Sequence, residues 1–167
     1  MGTATYEFFI QHMIAAASPD PDPGSDGDLD TALRTAVEDG QEDEVARLLG
    51  MGADANGRNA FGATPLHLAT EFNSVSVMKL LVEGGADLDS LNDDGWSPLM
   101  NAAFCGSIPA LEFLLEAGAD WRLEARDDDD DVENATTLAT GKAKEILEGW
   151  LESHAGTQLE PEPVSFE

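Results

Sequence analysis

The chain has 167 residues, 42% of them hydrophobic, and a single cysteine, so it can bury a core as one domain but cannot form an internal disulfide. Its 34 acidic residues outnumber 8 basic ones and leave a formal net charge of −26, which argues against direct binding of nucleic acid or anionic membranes, because both need lysine and arginine. The charge instead favours a partner protein with a basic surface, and the cysteine content fits a cytoplasmic location.

The first 28 residues are predicted to lie outside the main domain. Residues 1–17 form a short N-terminal segment in which residues 5–17 have helical spacing, with an apolar face made of Tyr6, Phe9, Ile10, Met13 and Ala17. No basic residue precedes this apolar stretch, so we do not interpret it as a secretory signal. Residues 18–28 combine prolines and glycines with acids, which predicts an acidic linker. No apolar run in the sequence approaches the ~18 residues that span a bilayer.

The rest of the chain repeats itself at an interval of 33 residues. Residues 62–66 (GATPL) align with residues 95–99 (GWSPL), and the turn GAD recurs at residues 52–54, 85–87 and 118–120. Self-similarity at a period of this size indicates supersecondary units that stack on one another. We expect each GAD glycine to end a helix in a left-handed backbone conformation, which glycine adopts most readily.

One of these repeated stretches carries a known motif. TPLHLA at residues 64–69 resembles the ankyrin-repeat signature in full, and SPLMNA at residues 97–102 and TALRTA at residues 31–36 are weaker copies. The resemblance extends over about residues 28–123 and implies an all-α solenoid of about four helix-turn-helix units, the last degenerate and capping the core. It also implies that His67 hydrogen-bonds neighbouring turns.

The boundaries of the units follow from the period. An acidic insertion, EARDDDDDVENA, precedes the last unit, and the alignment of Ala102 with Ala139 requires an offset of 37 residues, four more than the period. We expect the ankyrin-repeat domain to span residues 29–156, with repeats at about 29–58, 59–91 and 92–124 and a degenerate capping unit at 132–154. Long apolar residues of each second helix are expected to form the core, and residues 157–167 a disordered acidic tail.

The resemblance also implies a binding surface. In ankyrin repeats, the loop before the first helix and the end of that helix face a concave groove, where the sequence is free to vary for binding. The residues that match these positions are Phe61, Glu71 and Phe72 in the second unit and Asp93, Asp94, Trp96, Phe104 and Cys105 in the third. The four aromatic residues predict an exposed apolar row flanked by acids, which is typical of an interaction site. The alternative is that some of them fold onto adjacent repeats or onto the N-terminal helix.

The sequence contains no pattern that indicates catalysis or a cofactor. Its three histidines lie in different units without metal-ligand spacing, and Cys105 has no histidine near it in sequence. The acidic run at residues 127–131 is typical of a solvated loop rather than of a specific metal site. We therefore expect no enzyme activity, no cofactor and no bound metal.

Two functional classes remain open. The first is a protein–protein interaction module, monomeric when free, that binds a basic partner in its groove as an adaptor, inhibitor or chaperone; the aromatic residues favour it. The second is an acidic mimic of nucleic acid, or an immunity-type inhibitor, that neutralises a basic nuclease or DNA-binding protein; the net charge of −26 favours it. A salt-loving source would explain the acidity without any partner.

Overall fold

The structure is a computed structural model that describes residues 29–126 and 132–154. Its helices are α1 (Leu29–Glu38), α2 (Glu42–Gly50), α3 (Pro65–Glu71), α4 (Val75–Glu83), α5 (Pro98–Cys105), α6 (Ile108–Ala117), α7 (Ala135–Leu138) and α8 (Gly141–His154). The strands β1 (Ala125–Arg126) and β2 (Val132–Glu133) form one antiparallel pair. The predicted N-terminal helix, linker, acidic run and tail lie outside the described residues.

The helices form two layers. The inner layer is α1, α3, α5 and α7, each in contact with the next, and the outer layer is α2, α4, α6 and α8, packed in the same order. Each inner helix also packs against the outer helix that follows it in sequence. The all-α solenoid predicted from the sequence is therefore confirmed.

A column of leucines runs through the whole stack. Leu48, Leu81, Leu114 and Leu147 recur at the 33-residue interval on successive outer helices, and each is at most 2% exposed. Since one helical pair cannot cover such a residue on both sides, each unit buries its leucine against its neighbours. The core is thus continuous from α2 to α8, as the sequence predicted for the second helices.

The GAD turns hold adjacent units in register. In each turn, the aspartate side chain accepts a hydrogen bond from the backbone N–H two residues later, at 2.8–3.0 Å. The N–H of the same aspartate donates to a side chain of the preceding turn or helix; these pairs are Asp54 to Asp30, Asp87 to Asn56 and Asp120 to Asp89. The three turn glycines have φ between 92° and 97°, which confirms the expected left-handed backbone.

A finger-like turn precedes each inner helix from α3 onward. In the first two fingers, the side chain of Asn59 or Asn92 accepts two backbone N–H groups of its own turn. The fingers also bond to each other, because the N–H of Asp93 donates to the carbonyl of Phe61 at 3.1 Å. The third finger contains β1 and β2 and is longer, because it carries the acidic insertion.

His67 links the second unit to the third. It is fully buried, and its Nδ1 accepts the N–H of Thr64 at 3.2 Å. The ring proton therefore resides on Nε2, which donates to the carbonyl of Trp96 at 2.9 Å. The histidine is thus committed to structure, as the resemblance implied.

Two glycines provide a matched test of how tightly the fingers stack. Gly62 and Gly106 have φ of 70° and 66°, but only at Gly62 would an added Cβ overlap a neighbour, the carboxylate and backbone N of Asp93. We expect Gly106→Ala to reduce the free energy of unfolding by about 1–2 kcal/mol through backbone strain alone. Gly62→Ala should reduce it by more, because the second finger must also move. Urea denaturation of both variants measures the difference, and equal losses would contradict close stacking of the fingers.

Candidate partner-binding surface

The residues predicted to contact a partner lie at both the N-terminal and the C-terminal ends of the inner helices α3 and α5. Those in the fingers, before the helices begin, are Phe61, Asp93, Asp94 and Trp96, and those where the helices end are Glu71, Phe72, Phe104 and Cys105. Since α3 has seven residues at 1.5 Å each, the two groups in the second unit are separated by a helix about 10 Å long. The predicted row is therefore divided into a finger side and a helix-end side.

Phe61 and Phe72 expose apolar surface on either side of α3. Phe61 is 41% exposed and Phe72 is 43% exposed, and these are the largest exposed fractions of any phenylalanine that the structure describes. The backbone of Phe61 is fixed by the side chain of Asn59 and by the N–H of Asp93. Phe72 directly follows the last residue of α3, and its N–H donates to the carbonyl of Leu68. Both aromatic rings thus project from ordered backbone.

Trp96 is not an exposed groove residue, so the prediction of four exposed aromatics is wrong at this position. It is only 5% exposed, and its indole N–H donates to the carboxylate of Glu133 at 2.9 Å. Its ring meets that of Phe104 edge to face, with centroids 5.1 Å apart, and Phe104 is itself half-buried. The third finger supplies Glu133, so this pair packs within the stack, as the alternative interpretation proposed.

Sequence reasoning did not identify Glu133, although a signal for it exists. With the insertion counted, residue 133 occupies in the third finger the position that residue 96 occupies in the second. Equivalent positions of adjacent units are neighbours in a stacked solenoid, so the alignment indicates that residues 96 and 133 lie near each other but not that Trp96 is buried. Asp93 and Asp94 remain exposed beside this contact.

Glu71 lies where three inner helices meet. The amide nitrogen of Asn101 on α5 donates to its carboxylate at 3.4 Å. Partial burial and, to a smaller extent, the negative charge of Glu38 on α1 raise the pKa of Glu71 to about 7. The carboxyl group therefore titrates near neutral pH, and a nearby positive charge would favour its ionised form.

The carboxylates of Glu38 and Glu71 lie at helix ends that are themselves partly negative. Glu38 is the last residue of α1 and Glu71 the last of α3, and neither helix has a basic residue in its final turn. A helix C-terminus carries partial negative charge, so a carboxylate there is less favourable by about 0.3–1 kcal/mol. Glu38 and Glu71 are therefore unfavourably placed with respect to the dipoles of their own helices.

Cys105 is a poor candidate for a nucleophile. Partial burial of the thiol and the negative charge of Glu71 raise its pKa to about 11, although the residue as a whole is exposed. Reactive cysteines need the thiolate, which a raised pKa suppresses at neutral pH.

Residues 29–126 and 132–154 contain no group of three histidine, cysteine or acidic residues placed to hold a metal ion. None of the helices within these ranges is both long and apolar enough to cross a membrane.

The raised pKa of Glu71 predicts a pH dependence of stability. The folded protein holds this proton more tightly than the unfolded chain, in which the pKa returns to about 4.5, so stability falls as the pH rises from about 4.5 to 7. We expect Glu71→Gln to raise the free energy of unfolding by roughly 2 kcal/mol at pH 8 and to change it little at pH 4.5, after allowance for partial exposure.

Urea denaturation at pH 4.5 and pH 8 measures this effect. Glu112→Gln is the matched control, because it removes one charge from an exposed position on α6. A gain at pH 8 that is equal for both variants would show that net charge, rather than the site around Glu71, is responsible.

Comparison with known families agrees with this architecture. A family model described as ankyrin repeats, in three copies, matches residues 33–125, which is more than half of the chain. The matched region includes α2 to α6 and most of α1. Ankyrin repeats generally mediate protein–protein interactions and are generally non-catalytic. This chain belongs to the ankyrin-repeat family.

Proposed function

We propose that this protein is a non-catalytic cytoplasmic interaction module that binds a basic partner protein across the concave face of its inner helices. The observation that carries the proposal is the exposure of Phe61 and Phe72 on either side of α3. A partner that covers α3 would bury both side chains. The role of such a module is that of an adaptor, inhibitor or chaperone.

The exposed phenylalanines support binding because the fold does not require them. The packing of α3 depends on small and branched residues such as Leu66 and Ala69, which are fully buried. Phe61 and Phe72 are exposed at the turn before α3 and at its end, so their apolar surface is available to a partner. Truncation of an aromatic residue at an interface to alanine frequently costs about 2 kcal/mol or more of binding free energy.

The acids around these phenylalanines support a basic partner. Asp93 and Asp94 are exposed on the finger side, and Asp39 is exposed beyond the end of α1. Their charges are part of the net charge of −26 that the chain carries. Rim charges of this kind speed the association of an oppositely charged partner more than they strengthen the final complex.

A second candidate, the nucleic-acid mimic, is favoured by the net charge alone. It would neutralise the basic site of a nuclease or DNA-binding protein through many distributed carboxylates. Its binding would collapse as salt screens these charges, and truncation of single phenylalanines would have almost no effect.

The two candidates differ in how they depend on Phe61 and Phe72. Affinity capture from source lysate with the wild-type protein, compared with the Phe61→Ala plus Phe72→Ala variant, identifies a partner that requires these side chains. We expect each single truncation to raise the dissociation rate of that partner about tenfold or more, because buried contact is lost. Met51→Ala is the control, since Met51 is also exposed but lies at the end of outer helix α2. Unchanged affinity in both phenylalanine variants would contradict binding at this face.

Neutralising the finger acids tests the electrostatic part of the proposal. We expect Asp93→Asn plus Asp94→Asn to slow association by a few-fold at low salt and to have little effect at high salt, where the screening length is a few ångströms. The control is Glu112→Gln plus Glu116→Gln, which removes two exposed charges from α6. Surface plasmon kinetics at both salt concentrations provides the measurement. Equal slowing by the two pairs would indicate that overall charge steers the partner, as in the mimic.

A further inference from the structure

The two exposed phenylalanines, Phe61 before α3 and Phe72 after it, define a surface that we call the phenylalanine surface. We propose that residues 5–17 of the same chain dock on this surface as an amphipathic helix and that a basic partner displaces them. The docked segment then acts as a competitor of the partner. This inference rests on the proposed function, because it specifies how access to the same surface is regulated.

The dimensions of the phenylalanine surface match those of a short helix. Since α3 has seven residues, Phe61 and Phe72 are separated by about 10 Å of helix. A helix made of residues 5–17 would be about 20 Å long. It is therefore long enough to contact the side chains at both ends of α3.

The sequence of residues 5–17, which lie outside the described residues, has the chemistry that this surface requires. A helix formed by this stretch would have an apolar face made of Tyr6, Phe9, Ile10, Met13 and Ala17. The stretch contains one acidic residue, Glu7, so the acids near the surface repel it only weakly. An isolated helix shorter than about 12–15 residues is marginal in water, so this one depends on contact with an apolar surface.

The chain enters the domain beside the phenylalanine surface. Leu29 begins α1 and is equivalent in the repeat to Gly62, which directly follows Phe61, and α1 packs against α3. The side chain of Asp30 accepts the N–H of Asp54 at 2.7 Å, which places the start of α1 against the chain that leads into the first finger.

The linker is long enough to let the segment reach this surface. Residues 18–28 span at most about 40 Å when fully extended, which is several times the length of α3. A short tether of this kind holds the segment at an effective concentration in the millimolar range. A weak apolar contact therefore suffices to keep the surface occupied in the free protein.

Charge distinguishes this segment from the other occupants. A second copy of the protein would bring another net charge of −26 to the surface and would lack the tether. A basic partner would be attracted by the exposed acids Asp93 and Asp94, whereas residues 5–17 contain no lysine or arginine and gain nothing from them. The partner can therefore displace the segment.

The first test replaces Phe9 of the full-length protein by the photocrosslinker p-benzoylphenylalanine and maps the crosslinks by mass spectrometry. The matched control carries it in place of Phe8, which lies on the opposite face of the helix. We expect crosslinks within one chain from position 9 to residues 58–63 or 71–75, and few from position 8. Crosslinked dimers, crosslinks to the outer helices, or equal yields from the two positions would overturn the docking and leave the proposed function intact.

The second test measures hydrogen–deuterium exchange of the full-length protein. We expect the amides of residues 8–17 to exchange about tenfold more slowly in the wild type than in Phe9→Ala or Phe72→Ala. Phe8→Ala should behave as the wild type. Because alanine favours helix more than phenylalanine does, lost protection in Phe9→Ala reflects lost contact rather than lost helix propensity. Exchange that is equally fast in the wild type and in Phe9→Ala would overturn the docking.

The third test examines competition, with the partner captured from source lysate as the probe. We expect Phe9→Ala to bind it about three- to tenfold more tightly than Phe8→Ala, because the surface is no longer occupied. Equal affinities would overturn the competition. A partner whose affinity ignores Phe61→Ala and Phe72→Ala would overturn the proposed function, while crosslinks from position 9 to the ends of α3 would still establish the docking.

Discussion

Each helical pair of this protein carries an apolar face on both sides and can bury these faces only against the next pair. The leucine column from Leu48 to Leu147 expresses this constraint directly, because Leu81 and Leu114 are excluded from water by helical pairs on both sides. The fixed interval of 33 residues follows from it, since any drift in helix register would expose a leucine. The hydrogen bonds that the GAD turns and His67 make between units then fix the position of each unit relative to the next.

The same register determines which surface residues meet. Residues that are distant in sequence but equivalent in the repeat become neighbours, so acids at the ends of α1 and α3 lie beside the aromatic end of α5. Two carboxylates at adjacent helix C-termini are unfavourable locally, yet the continuous core stabilises the fold enough to hold them there. The pKa of Glu71 is raised mainly by burial and, to a smaller extent, by the negative charge of Glu38.

The elongated third finger changes the character of the groove. In the second unit, Phe61 and Phe72 extend into solvent, whereas in the third unit the indole of Trp96 is bonded to Glu133 and packed on Phe104. Of the four predicted aromatic residues, the two that are exposed therefore lie on either side of α3. A partner that binds this face would therefore contact Phe61 and Phe72 of the second unit.

The sequence by itself determined the architecture of this protein, because the period of 33, the TPLHLA motif and the GAD turns are local patterns with specific backbone consequences. It also predicted the exposure of Phe61 and Phe72. Only the tertiary structure decided that Trp96 is buried, since that depends on a carboxylate 37 residues away on a finger of altered length. The pKa of Glu71 likewise depends on burial and on the approach of Glu38 from another helix, and burial is a property of the assembled stack rather than of any segment of the chain.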